Sequence, residues 1–302
     1  MSVRESPDLP TRTEVRFGTP EDAGAYAALM RLAFGDVQPY ELRYRWQYWS
    51  DPQHSKLLVF EADDNVAGML GVEMRPLTNG LVSGVIRDIV VTPQHRRRGV
   101  LRRLCGEANR LVVKRGGALL ASFVNAAAAS ALARVAGWQI LTPIPVLRRD
   151  VRAELPRTRV SEGLLAREVV AFDRNRQNRV WRFDQHPVHE YFTASFRTGI
   201  AVMKLFGDPP SGDIVDVNAV PLELEVLEGT YRAAVERLRT MGAHEAVTWG
   251  ILPASERDLL SRLGWQSGDA SRSFAVSVLR PEAKSLADAS GWRLQPADIE
   301  HF

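Results

Sequence analysis

The chain is poor in the residues that announce a disulfide scaffold, a metal site or a membrane span. A single cysteine, Cys105, in 302 residues excludes an internal disulfide and any cysteine-rich metal site, and fits a reducing compartment. Lysine occurs only at Lys56, Lys114, Lys204 and Lys284, so the basic residues are nearly all arginines, the side chain suited to bidentate recognition of phosphate and carboxylate. No uninterrupted apolar run approaches ~18 residues. Residues 1–12 carry prolines, serine and charges with no apolar core. Neither a membrane span nor a signal peptide is therefore expected, and a cytoplasmic location is. No glycine-rich strand end is followed by Gly-Lys-Ser/Thr, which argues against a nucleoside triphosphate site with bound magnesium, and the three spaced glycines of a dinucleotide fingerprint are also missing. His186-Pro187-Val188-His189 has a metal-like spacing, but Pro187 opposes the helix such a pair would need and no third ligand stands nearby. That pair reads as structural, and no metal is expected.

What is present describes a globular chain long enough for two domains, with 45% hydrophobic and 25% charged residues. Its formal charge of +3 is a mild basic excess that suits an anionic small ligand as well as nucleic acid. After a start expected to be disordered (1–12), Thr13 to Phe17 reads as a strand. Thr19-Pro20-Glu21-Asp22 supplies an N-cap, a first-turn proline and acids for a helix to about Phe34. Tyr40 to Trp49 reads as a second helix; Lys56 to Ala62 and Val66 to Met74 read as a hairpin turning at Asp63-Asp64-Asn65, and Val85 to Val91 as an apolar strand. Leu101, Leu104, Cys105, Ala108, Leu111 and Val112 then form one helical stripe, on which Cys105 is a packing residue. Ala118 to Phe123 is a strand, Ala126 to Val135 an alanine-rich helix and Trp138 to Leu147 extended.

Val151 to Glu162, charged and proline-containing, makes the best linker, and the remainder reads as a partial copy of the first half. Asp88-Ile89-Val90 recurs as Asp213-Ile214-Val215, Gly117-Ala118 as Gly242-Ala243 and Gly137-Trp138-Gln139 as Gly264-Trp265-Gln266, in order and at nearly constant offset. Between them lies a second helical stripe from Leu227 to Met241.

The segment with the clearest chemistry is Gln94-His95-Arg96-Arg97-Arg98-Gly99-Val100-Leu101. A strand that ends in a basic, glycine-containing turn and opens a helix is an anion site, because the first helical amides lack partners and the helix dipole favours negative charge. Gly99 lets the backbone approach a ligand, and three guanidiniums add charge-assisted hydrogen bonds. A bare arginine run would suggest nucleic acid; its place at a strand-to-helix turn favours a pyrophosphate.

This turn resembles the acyl-CoA loop of the Gcn5-related N-acetyltransferase (GNAT) superfamily, Gln/Arg-x-x-Gly-x-Gly/Ala after a strand and a proline. Arg96-Arg97-Arg98-Gly99-Val100-Leu101 fits it except at Leu101, where the family has a small residue. The resemblance implies an α/β chain of two tandem GNAT-like domains, each a mixed, largely antiparallel twisted sheet flanked by helices. The first, 13–150, would bind acyl-CoA; 151–162 would link it to a degenerate second domain, 163–302. It further implies that the backbone from Arg97 to Leu101 holds the pyrophosphate, and that the strand at Ile89, Val90 and Val91 pairs with the pantetheine arm. Asn125 matches the family's asparagine at the end of the next strand. The family's general-acid tyrosine falls on Ala133, so the usual acid is missing. Asp88 and Glu73 are the candidate bases, and Tyr40, Tyr44, Trp46 and Trp49 the candidate wall of an acceptor pocket. In one tandem group the terminal carboxylate is the base, a role that would fall on Phe302. The second half places Glu223, Glu225 and Glu228 where the arginine turn would be, so one acyl-CoA site per chain is expected.

The activity implied is transfer of an acyl group, most simply acetyl, from CoA to the amine of a small molecule such as an aminosugar, amino acid or antibiotic, with no metal, membrane or nucleic-acid partner. A catalytically silent CoA-binding module and an aminoacyl-tRNA-dependent transferase are the alternatives.

Overall fold

The computed structural model describes residues 13–51, 55–156, 169–219 and 222–298. Residues 1–12, the second half of the expected linker and Phe302 lie outside them.

The first half builds β1 (Thr13–Phe17), α1 (Ala23–Phe34), α2 (Tyr40–Trp49), β2 (Lys56–Ala62), β3 (Asn65–Pro76), β4 (Val82–Val91), α3 (Val100–Lys114), β5 (Leu119–Val124), α4 (Ala126–Leu132), β6 (Trp138–Pro143) and β7 (Val146–Asp150). The second contributes α5 (Arg176–Arg179), β8 (Phe192–Phe196), β9 (Gly199–Phe206), β10 (Ser211–Asn218), α6 (Leu224–Thr240), β11 (Glu245–Trp249), α7 (Ala254–Arg262), β12 (Gln266–Gly268) and β13 (Ser273–Val278). The Thr19 capping box is present, but its first turn, Pro20–Asp22, is a tight 3-10 turn before α1 proper. The alanine-rich helix stops three residues early, because Arg134 and Val135 donate to Ala131 and Leu132 in i→i−3 bonds that tighten its end.

The strands form a seven-stranded sheet, β1-β2-β3-β4-β5-β13-β6, and a six-stranded sheet, β12-β7-β11-β10-β9-β8. They exchange strands across the boundary expected at 150. β7 leaves the first half to pair with β11 and β12, and β13 enters the first sheet between β5 and β6. The crossing happens at Pro143-Ile144-Pro145, where two residues without an N–H cannot continue one ladder. The only parallel pairings among the described strands are β4 with β5 and β10 with β11.

The apolar stripe of α3 buries Leu104, Cys105, Ala108, Leu111 and Val112 against one face of the first sheet. Burial pushes the Cys105 thiol up to about 12, which leaves it a packing group. On the other face α1 and α2 pack Tyr26, Met30, Tyr40, Tyr44 and Tyr48 over Met69 and Val90. The rest of that face, where Phe123 and Phe274 of the sheet itself stand, is covered by Phe172, Trp292 and Leu294. α6 and α7 cover the second sheet.

Candidate functional site

The anion turn is built by its backbone. Thr92 ends β4 by donating its N–H to Ala67 O, Pro93–His95 makes one tight turn, and Arg97 and Gly99 then take left-handed φ values of +62° and +80°. For Gly99 this conformation is free of strain, whereas for Arg97 it is costly and is imposed by the loop. The first hydrogen bond of α3 runs from Arg103 N to Gly99 O, so the amides of Val100, Leu101 and Arg102 have no carbonyl within the helix to serve. Arg96, Arg97 and Arg98 are exposed, and among the described residues none has a carboxylate partner. Val100 is buried, and Leu101 packs partly against the core beneath the turn.

Behind the turn the sheet splits. β4 and β5 pair in parallel only from Ser83–Ile86 to Leu119–Ser122, and Ser122 Oγ closes the fork by donating to Ile86 O at 3.1 Å. Beyond it β4 bulges, two residues, Asp88 and Ile89, standing against Leu70 of β3, with Asp88 at φ +50°. Since Thr92 turns its N–H toward β3, the alternation of a strand turns Val90 the same way and Ile89 and Val91 toward the split. Arg96 Nε reaches Val91 O there at 3.1 Å. The wedge between the strands opens into a cavity of about 540 Å³.

Of the residues expected at the site, Asp88, Ile89, Asn125 and Tyr40 line this cavity; Glu73, Tyr44, Trp46 and Trp49 do not. Asn125 caps α4, its side chain accepting from Ala128 N at 2.9 Å. Tyr40 is fully buried with its hydroxyl spent on Gly35 O. Tyr44 donates to Thr19 O at 2.6 Å, and burial pushes its pKa up to about 12. Trp46 stacks on Trp181 with ring centroids 4.3 Å apart, and Trp49 stands nearly half exposed on the outer side of α2.

The two carboxylates are held in different networks. Asp88 accepts from Tyr26 (3.0 Å), Arg43 (2.9 Å), Gln47 (2.9 Å) and Tyr48 (2.7 Å), all buried. Four donors, one of them cationic, occupy both of its oxygens. The tyrosines serving it have their pKa raised, first by burial. Glu73 is wholly buried one layer behind the cavity, against Arg87, Arg75 and Arg182. Its network continues through Arg75 and Arg174 to Asp298, and through Arg174 to Asp216, so it joins the two halves of the chain.

Sequence reasoning missed the part of the wall that the second half supplies: Val188, His189, Ser271 and Arg272. Ser273, next to Arg272, pairs with Val124. Strand exchange brings Ser271 and Arg272 beside β5, Val188 and His189 come from the segment before β8, and no local pattern reports either approach.

The second half repeats the fork without the site. Ser211-Gly212 stands opposite Glu245-Ala246 as Ser83-Gly84 stands opposite Leu119-Leu120. A Cβ at either glycine would strike the crossing helix, at Leu238 or Val112. In this register Asp88 corresponds to Asp216, not to Asp213 as the sequence match has it. The fork is filled by the C-terminal segment: Val217, the counterpart of Ile89, donates its N–H to Gln295 Oε1 (3.0 Å) and accepts from Arg293 Nη2 at its carbonyl (3.1 Å). Leu294 N donates to Ile251 O, and Gly250 leaves room for Leu294 O where a Cβ would collide. α6 opens on Glu223, with Glu225 in its first turn.

Among the described residues no cluster of three or more His, Cys, Asp or Glu side chains is placed to hold a metal, and no helix is long and apolar enough to cross a membrane. Residues 14–141 match the family model described as an acetyltransferase (GNAT) domain. No curated protein matches the sequence. Among solved structures, Eis1 from Mycobacterium abscessus is similar over 92% of this chain and 76% of its own, with 17% identity and a TM-score of 0.59. A probable N-acyltransferase from Enterococcus faecalis V583 is similar over 89% and 73%, with 9% identity and a TM-score of 0.65. A tandem GNAT protein from the clavulanic acid biosynthesis pathway is similar over 89% and 99%, with 17% identity and a TM-score of 0.57. At such identities the neighbours speak for the fold alone: residues 14–141 match a GNAT acetyltransferase domain, and the chain has the fold of tandem GNAT proteins.

Proposed function

We propose that the chain transfers the acetyl group of acetyl-CoA to the amine of a small molecule, with one donor site per chain. The observation that carries this reading is the continuity of the arginine turn with the split between β4 and β5. A pyrophosphate on the amides of Val100 and Leu101, with Arg96 to Arg98 around it, sends the pantetheine arm along Ile89 and Val91 as an added strand. The thioester then lies near the bulge at Asp88, inside the cavity. The amine nitrogen attacks the thioester carbonyl carbon, the C–N bond forms, the C–S bond breaks, and the thiolate leaves and takes a proton.

The attacking amine must first lose its own proton. Asp88 is saturated by four donors and Glu73 stands outside the cavity, so we assign neither as the base. His189, one of the residues that line the cavity, is the better candidate. Ala133 stands exposed at the end of α4 and offers no hydroxyl to the leaving thiolate. That absence favours a second reading, a CoA-binding module without turnover. Release of free thiol from acetyl-CoA over a broad amine panel separates the two.

The donor site is tested by thermal unfolding with and without millimolar acetyl-CoA. The wild type is expected to be stabilised by several degrees, Arg98→Glu to lose that response while melting normally without ligand, and Gly99→Glu to lose it from a lower starting melting temperature, because a side chain is strained at the left-handed φ of that position. A wild type that does not respond sinks the assignment.

A further inference from the structure

The cavity has a charge that nothing among the described residues balances. Among the described residues Asp88 is the one carboxylate lining it, and it is paired with Arg43; Arg87 is paired with Glu73 behind the wall. Arg272 also lines the cavity, and among the described residues no hydrogen bond or ion pair engages its guanidinium. It is partly buried, and burial, followed by the positive charge of nearby Arg43, holds its pKa below the usual guanidinium range. A desolvated cation beside a like charge is costly unless an anion arrives to offset it.

We propose that the acceptor is an amine that also carries a carboxylate, an amino acid or a short peptide, and that Arg272 binds that carboxylate. The inference rests on the acetyl-CoA reading, which fixes where the donor lies. The donor's own phosphates do not account for Arg272. They fall at the turn from Arg96 to Leu101, none of whose residues lines the cavity, whereas Arg272 stands next to the paired residues Ser273 and Val124, where β5 ends. One unbalanced guanidinium, beside a helix start already capped by Asn125 and a second cation, Arg43, already paired with Asp88, matches a monoanion in charge and a planar carboxylate in shape. Apolar residues of the lining, buried Met30 and exposed Phe34 and Val37, suit an apolar side chain on the same acceptor. Arg272 reaches the site because β13 crosses into the first sheet, so the second half acts here as the carrier of acceptor specificity.

The test is equilibrium binding to the protein loaded with CoA, which binds without turning over. A panel of amino acids and dipeptides is compared with the corresponding amides and with the amines that lack the carboxylate. At least one free acid is expected to bind, its amide roughly thirtyfold or more weakly, as for loss of one partner of a partly buried charge pair. In Arg272→Gln the difference between acid and amide is expected to vanish while CoA affinity stays unchanged, and Arg272→Lys to restore part of it. Unchanged CoA affinity also shows that the variants fold. Amides that bind as well as acids overturn the proposal, as do a preference that survives Arg272→Gln and a CoA-loaded protein that binds no acid of the panel. Each of those leaves the donor site standing, whereas failure of CoA to bind the wild type removes the donor assignment and this inference with it.

Discussion

The two strand–helix–strand units, β4–α3–β5 and β10–α6–β11, are forks of the same design put to opposite uses. Each has a parallel pair that separates after three or four residues, a side-chain hydroxyl at the crotch (Ser122 on Ile86 O, Thr248 on Ile214 O) and a glycine beneath the crossing helix. In the first, the backbone beyond the crotch faces a cavity and the helix opens on arginines. In the second, Gln295 and Arg293 occupy the corresponding backbone groups, and the helix opens on glutamates. A parallel pair forced apart exposes polar backbone on both inner edges, and such groups must find partners. The second fork finds them in the chain's own C-terminal segment, the first in what we propose to be the donor.

The largest effect is expected where the filled fork is tied to its core. Arg293 is buried and makes two bonds, of 2.7 and 2.8 Å, to the wholly buried carboxylate of Glu256, besides its contact with Val217. Arg293→Met leaves that carboxylate with Tyr231 as its remaining hydrogen-bond donor and is expected to cost about 3–5 kcal/mol in urea unfolding. Adding Glu256→Leu should recover most of the loss. A single variant as stable as the wild type would mean that the segment merely lies against the fork.

A second effect depends on pH. Lys204 of β9 faces Asp213 of β10 across the ladder, where the first sheet has Glu73 facing Val85. Burial raises the Asp213 pKa to about 6 and lowers that of Lys204 to about 8. A raised carboxylate contributes stability below its unfolded value, near 4, and loses it as pH rises through 6. A lowered lysine contributes above its unfolded value, near 10.5, and loses it as pH falls through 8. Both groups are therefore charged, at a cost, between pH 6 and 8. Lys204→Met/Asp213→Asn should gain on the order of 1–2 kcal/mol over the wild type in that window, and less at pH 4. A difference independent of pH would show that the pair is not what titrates.

How far such features can be read without coordinates depends on how local they are. Thr13–Phe17, Tyr40–Trp49 and Lys56–Ala62 are read to the residue, since alternation, the Asp63-Asp64-Asn65 turn and the helix stripe all lie within each stretch. The arginine turn is legible for the same reason: strand end, left-handed glycine and helix start fall within a dozen residues. Trp46 is misread as a pocket wall because its partner, Trp181, is 135 residues away, and no periodicity reports a stack between distant segments. Arg272 is invisible because it reaches the cavity only after β13 enters the first sheet, and His189, read as half of a structural pair, because its segment meets the cavity far from its own neighbours in sequence. The repeat is detected but misregistered. Asp213 resembles Asp88 in its neighbours, while the ladder equates Ser211 with Ser83 and so Asp216 with Asp88.

The smallest effect bears most directly on why only one fork is proposed to take a donor. Gln295→Ala removes the acceptor for Val217 N–H and is expected to cost on the order of 1 kcal/mol, the net worth of one neutral hydrogen bond. Two obstacles stand in the second fork, the plug and the acidic helix start, and this variant weakens only the first. Calorimetric titration with acetyl-CoA should therefore still give one site per chain, because Glu223 and Glu225 repel a pyrophosphate whether or not the fork is loosened. If a second site appeared, the plug alone would be what keeps the second fork silent. If even the first were lost, the two forks would be coupled through the buried network from Glu73 to Asp298, which lies between them.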